Sequence, residues 1–559
     1  MKIIYWATSL IFNLILFSCT SSTQKESKEE TLKPMNFILI YTDELQFSDL
    51  ASYGGKFPTP NIDRLASEGI QFMQAHTTAS MCTPSRYSVM TGQVAGRCQF
   101  PDFLENNPKS DPYSIAWNTF INDNVPTLPR LLATKGYYTG MAGKWHIGKL
   151  PDTLSIPQLN AADDPTEAII QTKLAKHQQM VAQYLQNSAG FDEAKSVLWE
   201  NFDVFPVKAL HYHNIPWITK GGITFMQSAQ KQQKPFFLYI APTAIHGPNH
   251  FNNLRENLAY TLEGHVPEVA NYQPDSATML TKASAYNPVD AHRFAGIAHI
   301  DYQVGKIIEY LEVEQLYDNT AIIFMADHNI EPGKATCYEK GTNLPMIVRW
   351  PGGVKGVVNQ ETLVQNTDIL PTILAATGSE ELPKPLDGFS LLPVLQGERK
   401  QVRSYVFSEA GYTRSVSDGQ YKYIALRFPE AVNRQINTGA LLQAPNYLNK
   451  AGQAHSRIAV KYFPHYFDAD QLYDLQNDPY EQENVSNDPA YSEKKQQLQE
   501  VMRNHLATIS HPFPLEDKTL NSLDYKKLST RAREQNRVDD IVWFARDHGD
   551  MIWPPKMKE

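Results

Sequence analysis

The sequence predicts a large α/β domain, a mostly parallel sheet flanked by helices, followed by a small antiparallel sheet with a covering helix. Three observations predict it. Four short apolar runs each end in charged or polar residues, helical segments lie between them, and a series of short strands and turns begins after a boundary near residues 393–402.

The apolar runs come in order. "MNFILIYTDE" leads into Asp43 and Glu44, and "GYYTGMAGKWH" into Lys144 and His146. "KPFFLYIAPTAIH" leads into His246, and "NTAIIFMADH" into Asp327 and His328. Unbroken apolar strands suit a sheet covered on both faces. The intervening "NIDRLASEGIQF", "TLPRLLATKG" and "AHIDYQVGKIIEYLEVE" read as helices, and such alternation implies parallel strands. Ligands bind beyond the carboxyl ends of parallel strands, so the four polar ends should converge. The expected domains are 35–398, catalytic, and 399–559, a C-terminal subdomain and tail. In the latter, "SYVFSEAGYTRSVSDGQYKYIALRF" and "QLYDLQNDPYEQENV" supply strands, "AYSEKKQQLQEVMRNHLATI" a helix, and the tail with Trp543 and Trp553 packing.

A chain of 559 residues is too long for one core. Its net charge of −9 excludes a nucleic-acid partner and requires a locally basic pocket for any polyanionic substrate. At the N-terminus, an early lysine, a short apolar stretch and Leu16-Phe17-Ser18-Cys19 resemble a bacterial lipoprotein signal. Residues 1–18 read as a signal peptide, Cys19 as a lipidated residue and 19–34 as a flexible tether. The expectation is an exported protein in the periplasm or at the cell surface, held to the membrane only by that lipid. Of four cysteines, Cys82, Cys98 and Cys337 then remain, an odd number for a disulfide framework.

Cys82 opens "MCTPSRYSVMTG", where Thr83 is expected to N-cap a helix and Pro84 to take its first position. That sets Cys82 among free backbone N–H groups, where anions bind. Asp43, Glu44 and Asp327 in one crevice repel one another, and a divalent cation resolves the conflict. Arg86, Lys144, His146, His246 and Lys334 supply positive charge beside them. A cation and a basic cluster are equipment for a tetrahedral oxyanion, which narrows the chemistry to phosphate or sulfate esters.

Several segments resemble the type I sulfatases, the formylglycine-dependent branch of the alkaline phosphatase superfamily, as seen in exported bacterial polysaccharide sulfatases. They are "YTDELQFSDLASYGG", "MCTPSRYSVMTG", "GYYTGMAGKWHIGK", "PFFLYIAPTAIHGP", "FMADHNIEPGKATCYEKGTNLPMIVRWPGG" and "LYDLQNDPYEQENV", spread over roughly residues 35–500. The resemblance implies an alkaline-phosphatase-like fold and conversion of Cys82 to formylglycine by a formylglycine-generating or anaerobic sulfatase-maturating enzyme. It implies a gem-diol nucleophile held by Arg86, sulfate bound by Lys144 and Lys334, a leaving oxygen protonated by His246 and a proton relay at His146. Asp43, Glu44, Asp327, His328 and the residue at Cys82 would hold Ca²⁺. The chain departs from the family where Asp-Asp becomes Asp43-Glu44 and where Asp-Asn becomes Asp327-His328. Imidazole is a softer ligand than an amide oxygen, which leaves Mg²⁺ or Mn²⁺ open and allows His328 a role toward sulfate.

Export, a lipid anchor and a long insertion (about 150–230 and 250–290) direct the substrate expectation to sulfated carbohydrate: ulvan or another algal polysaccharide, or a glycosaminoglycan. His211, His213 and Trp217 are candidate sugar contacts, with packing as the plainer reading. The alternatives are a phosphonate or phosphate ester hydrolase of the same superfamily and a non-catalytic glycan-binding lipoprotein.

Overall fold

The computed structural model describes residues 33–151, 154, 159–247, 250–330, 332–379, 381–431, 459 and 462–516. Cys19, the signal and tether before Lys33, and the tail with Trp543 and Trp553 lie outside them. Among the described residues no helix is long and apolar enough to cross a membrane.

Nine strands form the main sheet. They are β1 (Asn36–Thr42), β2 (Ile70–His76), β3 (Tyr138–Lys144), β4 (Glu193–Leu198) and β5 (Phe236–Ala241). After a two-stranded hairpin, β6 (Tyr260–Thr261) with β7 (Gly264–His265), come β8 (Thr320–Ala326), β9 (Asn343–Arg349), β10 (Val357–Asn359) and β11 (Val364–Gln365). The order is β10-β2-β9-β8-β1-β5-β3-β4, with β11 also pairing β2. Only β9 runs against its neighbours among these strands. The expected mixed, mostly parallel sheet is the one observed, and the four apolar runs form its centre as β8-β1-β5-β3.

Every residue of β1, β5, β8 and β9 is buried, which is why these runs carry no alternation. Each buried Phe, Ile or Leu contributes on the order of 1.5–3 kcal/mol of transfer free energy. The long helices Ala168–Ala189, Ile215–Gln232 and Pro288–Val313 cover the sheet. One expected helix is shorter than its pattern. "NIDRLASEGIQF" is helical only over Pro60–Ser67, because Ile70–Phe72 pair with Val348–Met346 and belong to β2.

The small sheet is antiparallel, β12 (Val406–Ala410), β13 (Thr413–Ser417), β14 (Tyr421–Leu426) and β15 (Asp470–Asp474), covered by the helix Ser492–Leu506. It is bonded to the main sheet's crossover segments. Glu409 N donates to Thr78 O at 2.8 Å and Ser408 Oγ to Thr77 O at 2.7 Å. Lys422 Nζ reaches Glu339 Oε1 at 2.6 Å, a buried ion pair tying β14 to the loop after β8.

Strand register decides what emerges together. Thr42 stands opposite Ala326, so Asp43 and Asp327 leave adjacent strands side by side, and Asp327 N donates to Thr42 O at 2.8 Å. Lys144 pairs with Leu198 at the end of β3. Gly143, at φ +102°, lets β3 close on β5: a Cβ there would lie 2.2 Å from Ala241 O.

Candidate active site

The helix Cys82–Thr91 is buried at all ten residues and points its first turn at the ends of β1 and β8. It starts earlier than the Thr-Pro pair suggests. Met81, in extended backbone, is the N-cap, and Ser85 N makes the first helical bond, to Met81 O. Thr83 therefore sits inside the first turn rather than capping it, and its buried hydroxyl has no partner. Pro84 falls in the first turn too, where its missing N–H costs nothing.

Cys82 Sγ lies 3.1 Å from His328 Nε2 and 3.6 Å from Asp43 Oδ1. One ligand atom each from Asp43, Cys82, Asp327 and His328 falls within 4.8 Å of the others. His328 Nδ1 stands 2.7 Å from Asn329 O; a carbonyl only accepts, so Nδ1 carries the ring proton. Nε2 of that ring faces Sγ and both carboxylates. Two fully buried carboxylates, an imidazole lone pair and the atom at residue 82 form a donor set suited to a divalent cation.

Glu44 lies outside this group. Left-handed backbone at φ +55° turns its side chain outward, where its carboxylate pairs with Lys334 Nζ and stands 3.6 Å from His246 Nε2. Lys334 follows Gly333, which packs so closely on Gly341 that a Cβ at either would lie within 2.2 Å of the other loop arm.

Positive charge surrounds the group. Lys144 Nζ donates to Asp43 Oδ2 at 2.5 Å, and Arg86 Nη2 to Asp327 Oδ2 at 2.8 Å, all four side chains being wholly buried. Arg86 Nη1 donates to Tyr239 OH at 3.0 Å. Burial alone would raise Asp43, but Lys144, His246, Arg86 and His328 outweigh it and hold its carboxyl well below the usual range. Glu44 is likewise lowered, burial being outweighed by Lys334 and His246. Burial and the Asp43 charge push the Cys82 thiol up to about 12. Burial, Lys144 and Arg86 hold His146 well below the usual histidine value, so the ring is neutral, with Nδ1 unpartnered.

The structure thus brings Asp43, Glu44, Cys82, Arg86, Lys144, His246, Asp327, His328 and Lys334 into one crevice, and sets His146, at φ +58°, two residues beyond Lys144 on its rim. It buries two of the three candidate sugar contacts. Trp217 is 1% exposed with its indole N–H on Glu263 Oε2, and His213 is 3% exposed, stacked on His250. His211 Nε2 is bonded to Phe205 O at 2.6 Å. Cys82, Cys98 and Cys337 are all free thiols.

Sequence reasoning missed Tyr239, whose hydroxyl holds Arg86, and Asn329, whose carbonyl sets the His328 tautomer. Tyr239 left one signal, a lone hydroxyl in the otherwise apolar "FFLYIA". Asn329 left none, since a backbone carbonyl belongs to every residue.

The Sulfatase family model matches residues 35–379, and the model described as N-sulphoglucosamine sulphohydrolase, C-terminal, matches residues 333–428. The chain is similar to an ulvan-active sulfatase of Formosa agariphila, 26% identical over 493 residues covering 86% of this chain and 81% of that protein. It is equally similar to an N-acetylgalactosamine-6-O-sulfatase of Bacteroides thetaiotaomicron, 26% over 554 residues, 84% of this chain and 93% of that one. A solved structure holding its substrate, D-glucosamine-2-N,6-O-disulfate, shares the fold with a TM-score of 0.56 at 19% identity, over 87% of this chain and 100% of that one.

Proposed function

The chain belongs to the sulfatase family, and from that premise we propose that this sulfuric ester hydrolase removes sulfate from carbohydrates, using a formylglycine made from Cys82. The observation that carries the reading is the seating of Cys82: a buried helix start within 3.6 Å of His328 and Asp43, ringed by Lys144, Arg86 and Lys334. The ulvan-active and N-acetylgalactosamine-6-O-sulfatase relatives support a sulfated glycan as substrate.

Asp43, Asp327, His328 and the oxygen at residue 82 would hold the cation, Ca²⁺ by its carboxylate ligands, with Mg²⁺ or Mn²⁺ admitted by the imidazole. When bound, the cation supplies Lewis acidity and orients residue 82. Glu44 is the more distant contributor, since Lys334 competes for its carboxylate.

The residues then divide the work. The hydrated aldehyde of residue 82 is a gem-diol, and Arg86 steadies it. One hydroxyl oxygen attacks sulfur as its proton passes to the Asp43 carboxylate, the ester S–O bond breaks, and His246 protonates the departing sugar oxygen. Lys144 and Lys334 bind the sulfuryl oxygens as point charges. The second hydroxyl gives its proton to neutral His146, the C–O bond to the sulfate breaks as C=O reforms, sulfate leaves, and water adds to the aldehyde to restore the gem-diol. A serine here could form the ester but has no second hydroxyl to expel it. We further propose export with lipidation at Cys19 and maturation by a formylglycine-generating or anaerobic sulfatase-maturating enzyme.

The test is peptide mass spectrometry across residue 82 of protein made in its own host, together with sulfate release from a panel of sulfated polysaccharides and oligosaccharides. Aldehyde at residue 82 with sulfate release supports the reading. Desulfation by protein carrying only intact thiol overturns the mechanism, and faster turnover of phosphate diesters than of sulfate esters overturns the substrate class.

A further inference from the structure

The loop that follows edge strand β4 builds a second recess beside the crevice. Leu198 lies opposite Lys144 in the strand register and its carbonyl accepts from Trp145 N at 2.8 Å; Trp199 O accepts from His146 N at 2.9 Å. The recess thus begins one residue beyond the Lys144 register. It measures 200 Å³, about the room of one pyranose ring, and is lined by Trp199, Glu200, Asn201, Phe202, Val204 and His177 among others. Trp199 is held in place by its indole N–H on Gly148 O at 3.0 Å.

The charge of this recess is opposite to that of the crevice. No lysine or arginine lines it. Its one charged side chain is the exposed Glu200, which makes no ion pair among the described residues. Burial keeps His177 below the usual histidine value, so it adds no positive charge at neutral pH. Aromatic and apolar walls suit the C–H face of a sugar, while Glu200 and Asn201 suit its hydroxyls. A second sulfate or a uronate seated there would meet a carboxylate, and the one cation whose charge reaches Glu200, Lys144, is already paired with Asp43.

We propose that the recess after β4 is a subsite for the sugar ring next to the sulfated one, and that Glu200 restricts that ring to an uncharged one. This rests on the proposed carbohydrate sulfatase activity and deepens it. Discrimination arises from an unpaired like charge, a repulsive element rather than an extra attraction.

The experiment compares kcat/KM within each enzyme for matched oligosaccharide pairs that carry the same scissile sulfate. The second member has one more sulfate on the neighbouring ring. Pairs are drawn from carrageenan backbones, whose neighbouring ring carries no carboxylate, with 4-nitrophenyl sulfate as a ring-free ester. Wild type is expected to favour the singly sulfated member by about tenfold or more. Glu200→Gln should shrink that ratio and Glu200→Lys should abolish or invert it. Because Glu200 is exposed and unbonded, neither substitution threatens folding. A wild-type preference for the doubly sulfated member, or an equal ratio in wild type and Glu200→Lys, overturns the subsite. So does turnover of the ring-free ester with no glycan cleaved. Silence on every sulfate ester overturns the proposed function instead.

Discussion

His328 Nε2 stands 3.1 Å from Cys82 Sγ because Nδ1 of the same ring is committed to the Asn329 carbonyl 2.7 Å away. The backbone thereby fixes the tautomer and aims a lone pair into a space walled by two buried carboxylates. Only a lone pair on Nε2 can bind a cation, and the Asn329 bond presents that nitrogen to the site.

Metal removal should accordingly cost stability as well as activity. At a free cation concentration about 100 times Kd, binding adds about 2.7 kcal/mol to the folded state. Chelation should lower the thermal midpoint, restored by Ca²⁺, and His328→Ala should flatten that response. An unchanged midpoint on chelation and reloading in calorimetry would contradict the cation site.

Cys82→Ser should leave the fold intact and lower multiple turnover by at least about 10³-fold, since the ester formed on serine cannot be expelled. Intact-mass measurement after substrate exposure should find a single sulfuryl addition. Near-normal steady-state turnover would eliminate the gem-diol route.

Lys144→Met leaves Asp43 buried without its closest counter-charge. Breaking a buried pair costs about 3–5 kcal/mol, so the metal-free variant should be destabilised by that order. A saturating cation should recover part of the loss by compensating Asp43. Urea unfolding with and without Ca²⁺ measures both, and equal losses in the two conditions would refute the compensation.

Tyr239→Phe removes the nearer of two acceptors of Arg86 Nη1, leaving only Lys144 O at 3.3 Å, and under-bonds a buried charged donor at a cost of about 1–3 kcal/mol. Activity should fall through kcat more than KM, because Arg86 is proposed to hold the nucleophile rather than the sugar. A change confined to KM would move Arg86 out of that role.

Acid should destabilise the protein through a histidine remote from the site. Burial holds His299 down at about 4, against 6.5 ordinarily. Between those values the unfolded chain binds the proton and the folded chain does not, so stability rises with pH across the window and is lost on acidification. His299 alone should contribute about 2 kcal/mol between pH 7 and pH 5. His299→Leu should reduce the slope of unfolding free energy against pH, and an unchanged slope would assign the acid loss elsewhere.

The central sheet was legible because β1, β5 and β8 are unbroken apolar runs, and burial on both faces demands such runs. Strand β2 was not, since "IQFMQAH" follows a helical pattern directly and only its pairing with β9, β10 and β11 marks it as a strand. The helix start at Cys82 was misread for a related reason. Thr83 and Pro84 are good capping residues anywhere, but Met81, in extended backbone, takes the cap and begins the helix earlier.

Local chemistry was what the sequence determined by itself: which residues stand at strand ends, the Cys-Thr-Pro-Ser-Arg turn, and an excess of carboxylates requiring cationic company. Tertiary structure alone decided the partners. Glu44 was legible as a candidate ligand, yet its backbone at φ +55° hands it to Lys334, 290 residues away. His213 and Trp217 were legible as sugar-binding types, yet burial withdraws them, and Glu200, unremarkable in sequence, lines the open recess instead. Residue type and spacing are properties of the chain, whereas which charge faces which is set by strand register and helix packing, which join segments far apart in sequence.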